Sequence, residues 1–135
     1  MGEMAAWLRA ARPGLDPERT LVLGLDTLGA GEPIVARSEG PLWRVPYRED
    51  DLELVDAAAR AAGLEAPRRF RLGGWTDPVL ARLAGLRSVS LLSLGPGDRF
   101  TNYHLPSDTP DRVDWASVER CVALADAVAR AFAER

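Results

Sequence analysis

Short apolar runs along this chain alternate with segments in which apolar residues recur every three or four positions. Residues 20–25 are almost wholly apolar and predict a strand buried on both faces of a sheet. Residues 88–94 predict a second buried strand. Shorter strands are expected at 33–37 and 69–72.

Helices are predicted where the apolar spacing is three and four. Asp50 or Asp51, Thr76 and Asp114 precede such segments and are suitable N-caps. In the last helix we expect one continuous apolar stripe on the face that packs inward. That stripe comprises Trp115, Val118, Cys121, Val122, Ala125, Val128, Ala129 and Phe132. The predicted helices cover residues 4–11, 51–62, 78–84 and 115–132.

Alternating strands and helices predict an α/β fold, with a mixed sheet flanked by helices. The 135 residues fit one domain over 1–135. The formal net charge of −3 gives no basic footprint, so we expect no nucleic-acid partner. All 17 basic residues are arginine. The abundance of arginine without lysine is typical of a GC-rich bacterial genome.

Cysteine content and hydropathy limit the possible sites and locations. The single cysteine, Cys121, excludes an internal disulfide and a cysteine-based zinc site, and we expect it in the core. No run reaches the roughly 18 apolar residues of a membrane span. The first twelve residues do not resemble a signal peptide, so a cytoplasmic location is the default expectation.

Two segments carry polar residues where chemistry could occur. Asp26 follows the first buried strand, and ligand sites in α/β sheets lie beyond the carboxyl ends of strands. Asp also commonly begins a turn, so both interpretations stay open. Thr76 and Asp77 follow Gly73-Gly74; they can cap a helix, while the glycines allow a ligand or another strand to approach closely.

A third segment contains the only histidine, His104, beside Tyr103 in a polar loop. Neutral imidazole is the commonest protein ligand of zinc, and zinc-bound histidines usually donate their other N–H to a carboxylate. Asp108 is near enough in sequence to accept it. A lone histidine is more often structural, which is the alternative.

Residues 103–114 (Tyr-His-Leu-Pro-Ser-Asp-Thr-Pro-Asp-Arg-Val-Asp) resemble the Tyr-His-x-Pro-x-Asp-Thr signature of peptidase family M twenty-eight, the co-catalytic zinc aminopeptidases. Residues 25–29 resemble its Leu-Asp-x-x-Gly strand end, and 76–78 stand where that family has a Ser-Asp-His-like turn. The resemblance implies a partial three-layer αβα sandwich of the zinc exopeptidase type.

The resemblance also implies roles for individual residues. Asp26 would bind one zinc and His104 the other, out of two zinc ions per complete domain. Tyr103 would be a catalytic hydrogen-bond donor. Asp77 and Asp108 would support the ligands or contact a peptide substrate. A metal-activated water would then hydrolyse the peptide bond.

The family's His-x-Asp motif, bridging aspartate and Glu-Glu pair have no counterpart before Asp26, where the carboxylates are Glu3, Asp16 and Glu18. We therefore expect the C-terminal portion of such a domain, with an incomplete zinc site. Half a sheet would leave an exposed edge, which favours a homo-oligomer or a complementing chain.

Three hypotheses follow. The first is a zinc-dependent exopeptidase of the aminopeptidase type, incomplete in this chain, with cyclisation instead of hydrolysis left open. The second is a non-catalytic remnant that acts as a binding or assembly module. The third is an unrelated small α/β domain.

Overall fold

Five strands form one mixed sheet in the computed structural model, which describes residues 2–135. The strands are β1 (Leu21–Leu25), β2 (Glu32–Glu39), β3 (Val45–Pro46), β4 (Arg68–Leu72) and β5 (Arg87–Leu94). The helices are α1 (Gly2–Ala11), α2 (Glu49–Ala61), α3 (Asp77–Leu83) and α4 (Trp115–Ala133), with short 3-10 turns at Arg12–Gly14 and Pro110–Arg112.

Parallel and antiparallel pairings are both present in the sheet. β1 pairs with β5 in parallel, and β5 pairs with β2 antiparallel. β2 also pairs with β4 in parallel and with the short β3 antiparallel. β1 therefore lies at one edge, and its carboxyl end lies beside β5.

Helices cover both faces of the sheet. Leu23 packs with the main core, to which α2 and α4 contribute, whereas Val22 packs with the smaller cluster around Leu8 and Ala81 of α1 and α3. Because successive strand residues point to opposite faces, the two helix pairs lie on opposite sides. This confirms the predicted α/β fold with a mixed sheet flanked by helices. None of the helices within 2–135 has both the length and the apolar character needed to cross a membrane.

Two strand predictions were wrong in detail. The residues of β1 are partly exposed rather than buried on both faces, because only β5 pairs with this edge strand. Residues 45–46, where no strand was predicted, form β3 against the end of β2.

One of the three predicted helix caps was also wrong, and the other two residues lie at the predicted N-cap positions. Asp114 caps α4 and accepts a hydrogen bond from the Ser117 amide, as predicted. The N-cap of α2 is Arg48, and Asp51 instead lies fully buried in the first helical turn. Thr76 occupies the N-cap position of α3, but its hydroxyl does not bond to the helix.

The apolar stripe of α4 is rotated from its predicted position. Cys121 and Val128 are fully buried, as expected, but Trp115 and Val122 are 64% and 49% exposed. Leu124, which the prediction omitted, is buried instead, since residues 117, 121, 124, 125 and 128 form the inward face. Burial raises the pKa of the Cys121 thiol to about 11, which agrees with its place in the core.

Candidate functional site

The candidate site is built around the turn at residues 26–31, which follows β1. The Asp26 amide donates to the Leu91 carbonyl at 3.1 Å and so continues the pairing with β5. The Asp26 side chain is exposed. This arrangement puts a carboxylate just beyond the carboxyl end of a strand, where ligands commonly bind in α/β folds.

Hydroxyl groups from β5 and α4 hold this turn in place. Ser93 Oγ donates to the Thr27 carbonyl at 2.6 Å and accepts from the Ala30 amide at 2.8 Å. Ser117 Oγ lies 2.5 Å from the Leu28 carbonyl and accepts from the Gly31 amide at 3.2 Å. With Ser93 and Ser117 both fully buried, the turn is fixed to β5 and α4 beneath it.

Thr27 has a strained backbone within this turn. Its φ is +49°, in the left-handed region, which is unusual for a β-branched residue. Its hydroxyl oxygen is buried and no group within residues 2–135 forms a hydrogen bond with it. Such strain costs about 1–3 kcal/mol and clusters at functional sites. Asn102 and His104, with φ of +62° and +59°, have left-handed backbones in the loop opposite.

The loop after β4 and the loop after β5 meet beside the turn, and together they line a cavity of about 260 Å³, called here the strand-end cleft. Asp26 and Thr27 come from the turn, and Leu92 of β5 also lines the cleft. Aromatic side chains supply much of the rest. The remaining lining residues are Leu72, Gly73, Gly74, Trp75, Thr76, Phe100 and Tyr103.

A neighbouring cavity of about 210 Å³, the side lobe, continues from the cleft. Thr27, Phe100 and Tyr103 line both cavities. Asp108 and Arg112 line only the side lobe. No residue between 2 and 135 forms an ion pair with the Arg112 guanidinium. The cleft therefore presents the Asp26 carboxylate, and the adjoining side lobe presents the Arg112 guanidinium together with the Asp108 carboxylate, which does not pair with it.

A buried glutamate fixes the loop at residues 73–76, which forms one wall of the cleft. Glu39 is fully buried and accepts hydrogen bonds from the Thr76 amide and hydroxyl, both at 2.6 Å, and from the Tyr47 hydroxyl at 2.7 Å. The Thr76 hydroxyl also lies 2.9 Å from Ser90 Oγ. Burial, followed by the charge of Glu39, raises the pKa of Tyr47, which keeps the phenol neutral.

Gly40 provides a second attachment for the same loop. Its amide donates to the carbonyls of Leu72 and Gly74 at 3.1 and 3.0 Å. Its φ is +117°, and a Cβ there would lie 1.9 Å from the Trp43 carbonyl oxygen. Only glycine fits this close approach.

The structure brings some of the predicted site residues together and separates others. Asp26 and Tyr103 line the strand-end cleft, and Asp108 lines the side lobe. The His104 ring is exposed and stacks on Tyr103 at a centroid distance of 3.9 Å, but it lines neither cavity. Asp77 lies at the start of α3 and lines a different depression, beside α1 and β1. The functional roles of all five residues stay predictions.

The donor atoms present do not make up a metal site by themselves. Among residues 2–135, no group of three or more His, Cys, Asp and Glu side chains could hold a metal ion. Asp26 and His104, the two ligands that the family resemblance implies, do not line a common cavity. The described residues therefore do not fit a zinc centre, and we derive no reaction step through zinc.

Sequence reasoning missed two residues that shape the site. Thr27 has no sequence signal of its own, because its strain arises from how Ser93 and α4 hold the turn. Glu39 lies before a glycine and outside the strand predicted at 33–37, and only the fold reveals that its carboxylate is buried. Arg112 was part of the motif quoted at residues 103–114. Its place in the side lobe depends on how the loop after β5 packs beside the turn at residues 26–31.

Comparisons with known proteins leave the family open: no protein-family model and no curated protein matches this chain. The relation to peptidase family M twenty-eight, and the zinc ions it implies, stay predictions.

Proposed function

We propose that this chain is a binding module for short peptides or similar zwitterions. The observation that carries the proposal is the placement of two opposite charges in adjoining cavities. Asp26 lines the strand-end cleft and Arg112 lines the side lobe, with Phe100 and Tyr103 between them. A ligand with an amino group at one end and a carboxylate at the other matches this arrangement.

Each part of the site has a distinct role in this proposal. The Asp26 carboxylate pairs with the ligand's amino group, and the aromatic faces nearby add a cation–π contribution. Arg112 receives the carboxylate through its planar, forked guanidinium. Thr27 lines both cavities, and its left-handed backbone sets the position of the wall that they share. The hydrogen bonds of Ser93, Ser117 and Glu39 hold the walls before the ligand arrives, which lowers the cost of binding.

Isothermal titration calorimetry with a dipeptide such as Ala-Leu tests this function. We expect Asp26→Asn to weaken binding roughly tenfold or more, because a charge-assisted contact contributes about 1.5–3 kcal/mol. Acetylation of the peptide's amino group should have a similar effect on the parent protein. Asp111→Asn is the matched control, since Asp111 is exposed and lines neither cavity.

Amidation of the peptide's carboxylate tests the other end of the site. The amidated peptide should bind more weakly to the parent, while Arg112→Gln should bind the free and amidated peptides equally. If the dipeptide does not bind at millimolar concentration, or if Asp26→Asn and Asp111→Asn behave alike, the proposed function is wrong.

Zinc-dependent exopeptidase activity is the second candidate. Two motifs quoted for the family resemblance, those of Asp26 and Tyr103, line the same cleft, which favours it. The further ligands would have to come from outside residues 2–135. Zinc content per chain, measured for the parent, Asp26→Ala and His104→Ala, separates the two functions. About two zinc ions per chain, lost in both variants and accompanied by dipeptide cleavage, would favour the peptidase over the binding module.

A further inference from the structure

Four arginines line a hollow of about 460 Å³ on the sheet, which is separate from the two cavities of the proposed peptide site. Arg37 lies on β2, Arg44 in the turn after β2, and Arg69 and Arg71 on β4. We call this cavity the arginine hollow. Leu52 of α2 also lines it, and no residue lines both it and the strand-end cleft.

A β-bulge directs one of these arginines. The register of β2 against β4 passes from Ala36 opposite Phe70 to Ser38 opposite Arg71, so Arg37 has no partner on β4. Bulges bend the strand and redirect a side chain, and they are frequent beside functional sites. Arg69 and Arg71 are two residues apart on β4, which puts them on the same face of that strand.

Protein carboxylates neutralise only one of the four arginines. Glu49 is the one acidic residue in the lining, and it pairs with Arg69, which also bonds to Asp56 at 2.8 Å. Within residues 2–135, Arg37, Arg44 and Arg71 form no ion pair and donate no side-chain hydrogen bond.

This concentration of positive charge occurs in a chain with net charge −3. Twenty acidic residues are available, yet none is ion-paired with these three guanidinium groups. Like charges held together repel each other unless an anion offsets them. The hollow therefore carries unpaired positive charge that favours a ligand with several negative charges.

We propose that the arginine hollow binds a small molecule that carries a chain of phosphate groups. Guanidinium groups bind phosphate oxygens through two parallel hydrogen bonds, which makes arginine the preferred residue for this recognition. Three unpaired guanidinium groups suit an anion with several phosphates better than a single carboxylate. The volume lies within the range of small-molecule sites, roughly 300–1,000 Å³.

The test is calorimetric titration with inorganic triphosphate at low ionic strength. The variant Arg37→Gln/Arg71→Gln should bind at least tenfold more weakly than the parent. The control Arg9→Gln/Arg60→Gln removes the same charge from exposed arginines on α1 and α2 that do not line the hollow, and it should change binding less than twofold. Since Arg37 and Arg71 make no side-chain bonds, their replacement should leave the urea midpoint unchanged.

Three results would overturn the assignment. The first is no triphosphate binding at millimolar concentration, and the second is equal weakening in the two double variants, which would indicate general charge attraction. The third concerns the source of the phosphate. If phosphatidylcholine vesicles containing phosphatidic acid bind through Arg37 and Arg71 and triphosphate does not compete, the ligand is a lipid headgroup and the free anion is excluded. Competition by triphosphate supports the free anion.

Discussion

Replacement of Glu39 by alanine should lower the free energy of unfolding by about 2–4 kcal/mol. The Glu39 carboxylate is fully buried, and among residues 2–135 it has hydrogen-bond donors but no cationic partner. Its removal therefore affects stability through the donors that it leaves without an acceptor.

The magnitude follows from those donors. The Thr76 amide and the Tyr47 hydroxyl each lose their acceptor, at 2.6 and 2.7 Å in the parent. The Thr76 hydroxyl still has Ser90 Oγ at 2.9 Å. Two buried donors without acceptors cost about 1–3 kcal/mol each. Alanine also avoids the cost of burying a charge, so the expected loss is below the sum of the upper values.

Urea denaturation followed by circular dichroism measures this loss. Glu53→Ala is the control, because Glu53 is exposed on α2, and its effect should stay within about 0.5 kcal/mol. Glu39→Gln should be intermediate: it keeps one carbonyl acceptor, but its amide group faces a donor of Thr76 or Tyr47. Hydrogen exchange of the Thr76 amide should accelerate in both Glu39 variants.

A loss smaller than about 1 kcal/mol for Glu39→Ala would refute this reasoning. It would mean that Thr76 and Tyr47 find other acceptors and that the wall of the strand-end cleft does not depend on Glu39. A large loss without faster exchange at Thr76 would also contradict the argument, since the destabilisation would then arise elsewhere.

Two further predictions concern buried ionisable groups. Asp51→Ala should cost about 3–5 kcal/mol in urea denaturation, because the Arg87 guanidinium, bonded to Asp51 at 2.6 Å, would remain buried without its partner; the exposed neighbour Asp50→Ala should cost less than about 0.5 kcal/mol. The raised pKa of Tyr47, caused by burial and then by Glu39, stabilises the fold fully below about pH 10, where tyrosine is protonated in the unfolded chain. Stability should fall as pH rises above 10, and Tyr47→Phe should remove that part of the fall; equal pH slopes for the two proteins would contradict it.

Local sequence patterns predicted the elements of the fold but not their exposure. The apolar run at 20–25 predicted β1, yet it could not reveal that β1 lies at the sheet edge, because edge position depends on distant pairing. In α4, apolar residues are so frequent that several stripes fit the spacing. Which stripe faces inward is decided by packing against α2 and β5.

The sequence predicted only some residues of the candidate site, because the burial of a side chain also depends on packing between distant segments. Asp26 and Tyr103 were identified, and they line the same cleft. His104 was also identified, but its left-handed backbone and its stacking on Tyr103 leave it outside the cavity. Glu39 is polar in sequence and buried in the structure, and no periodicity marks such a residue.

The pairing of β1 with β5 also has a consequence for how this protein folds. Leu21 pairs with Arg87, which is 66 residues later, so β1 can join the sheet only when these distant segments are brought together. Closing so long a loop is entropically costly, and contacts that are distant in sequence slow folding. The turn that carries Asp26 also needs Ser117 of α4, which is synthesised still later. A ribosome-bound chain therefore cannot form the complete strand-end cleft until the residues up to Ser117 have emerged.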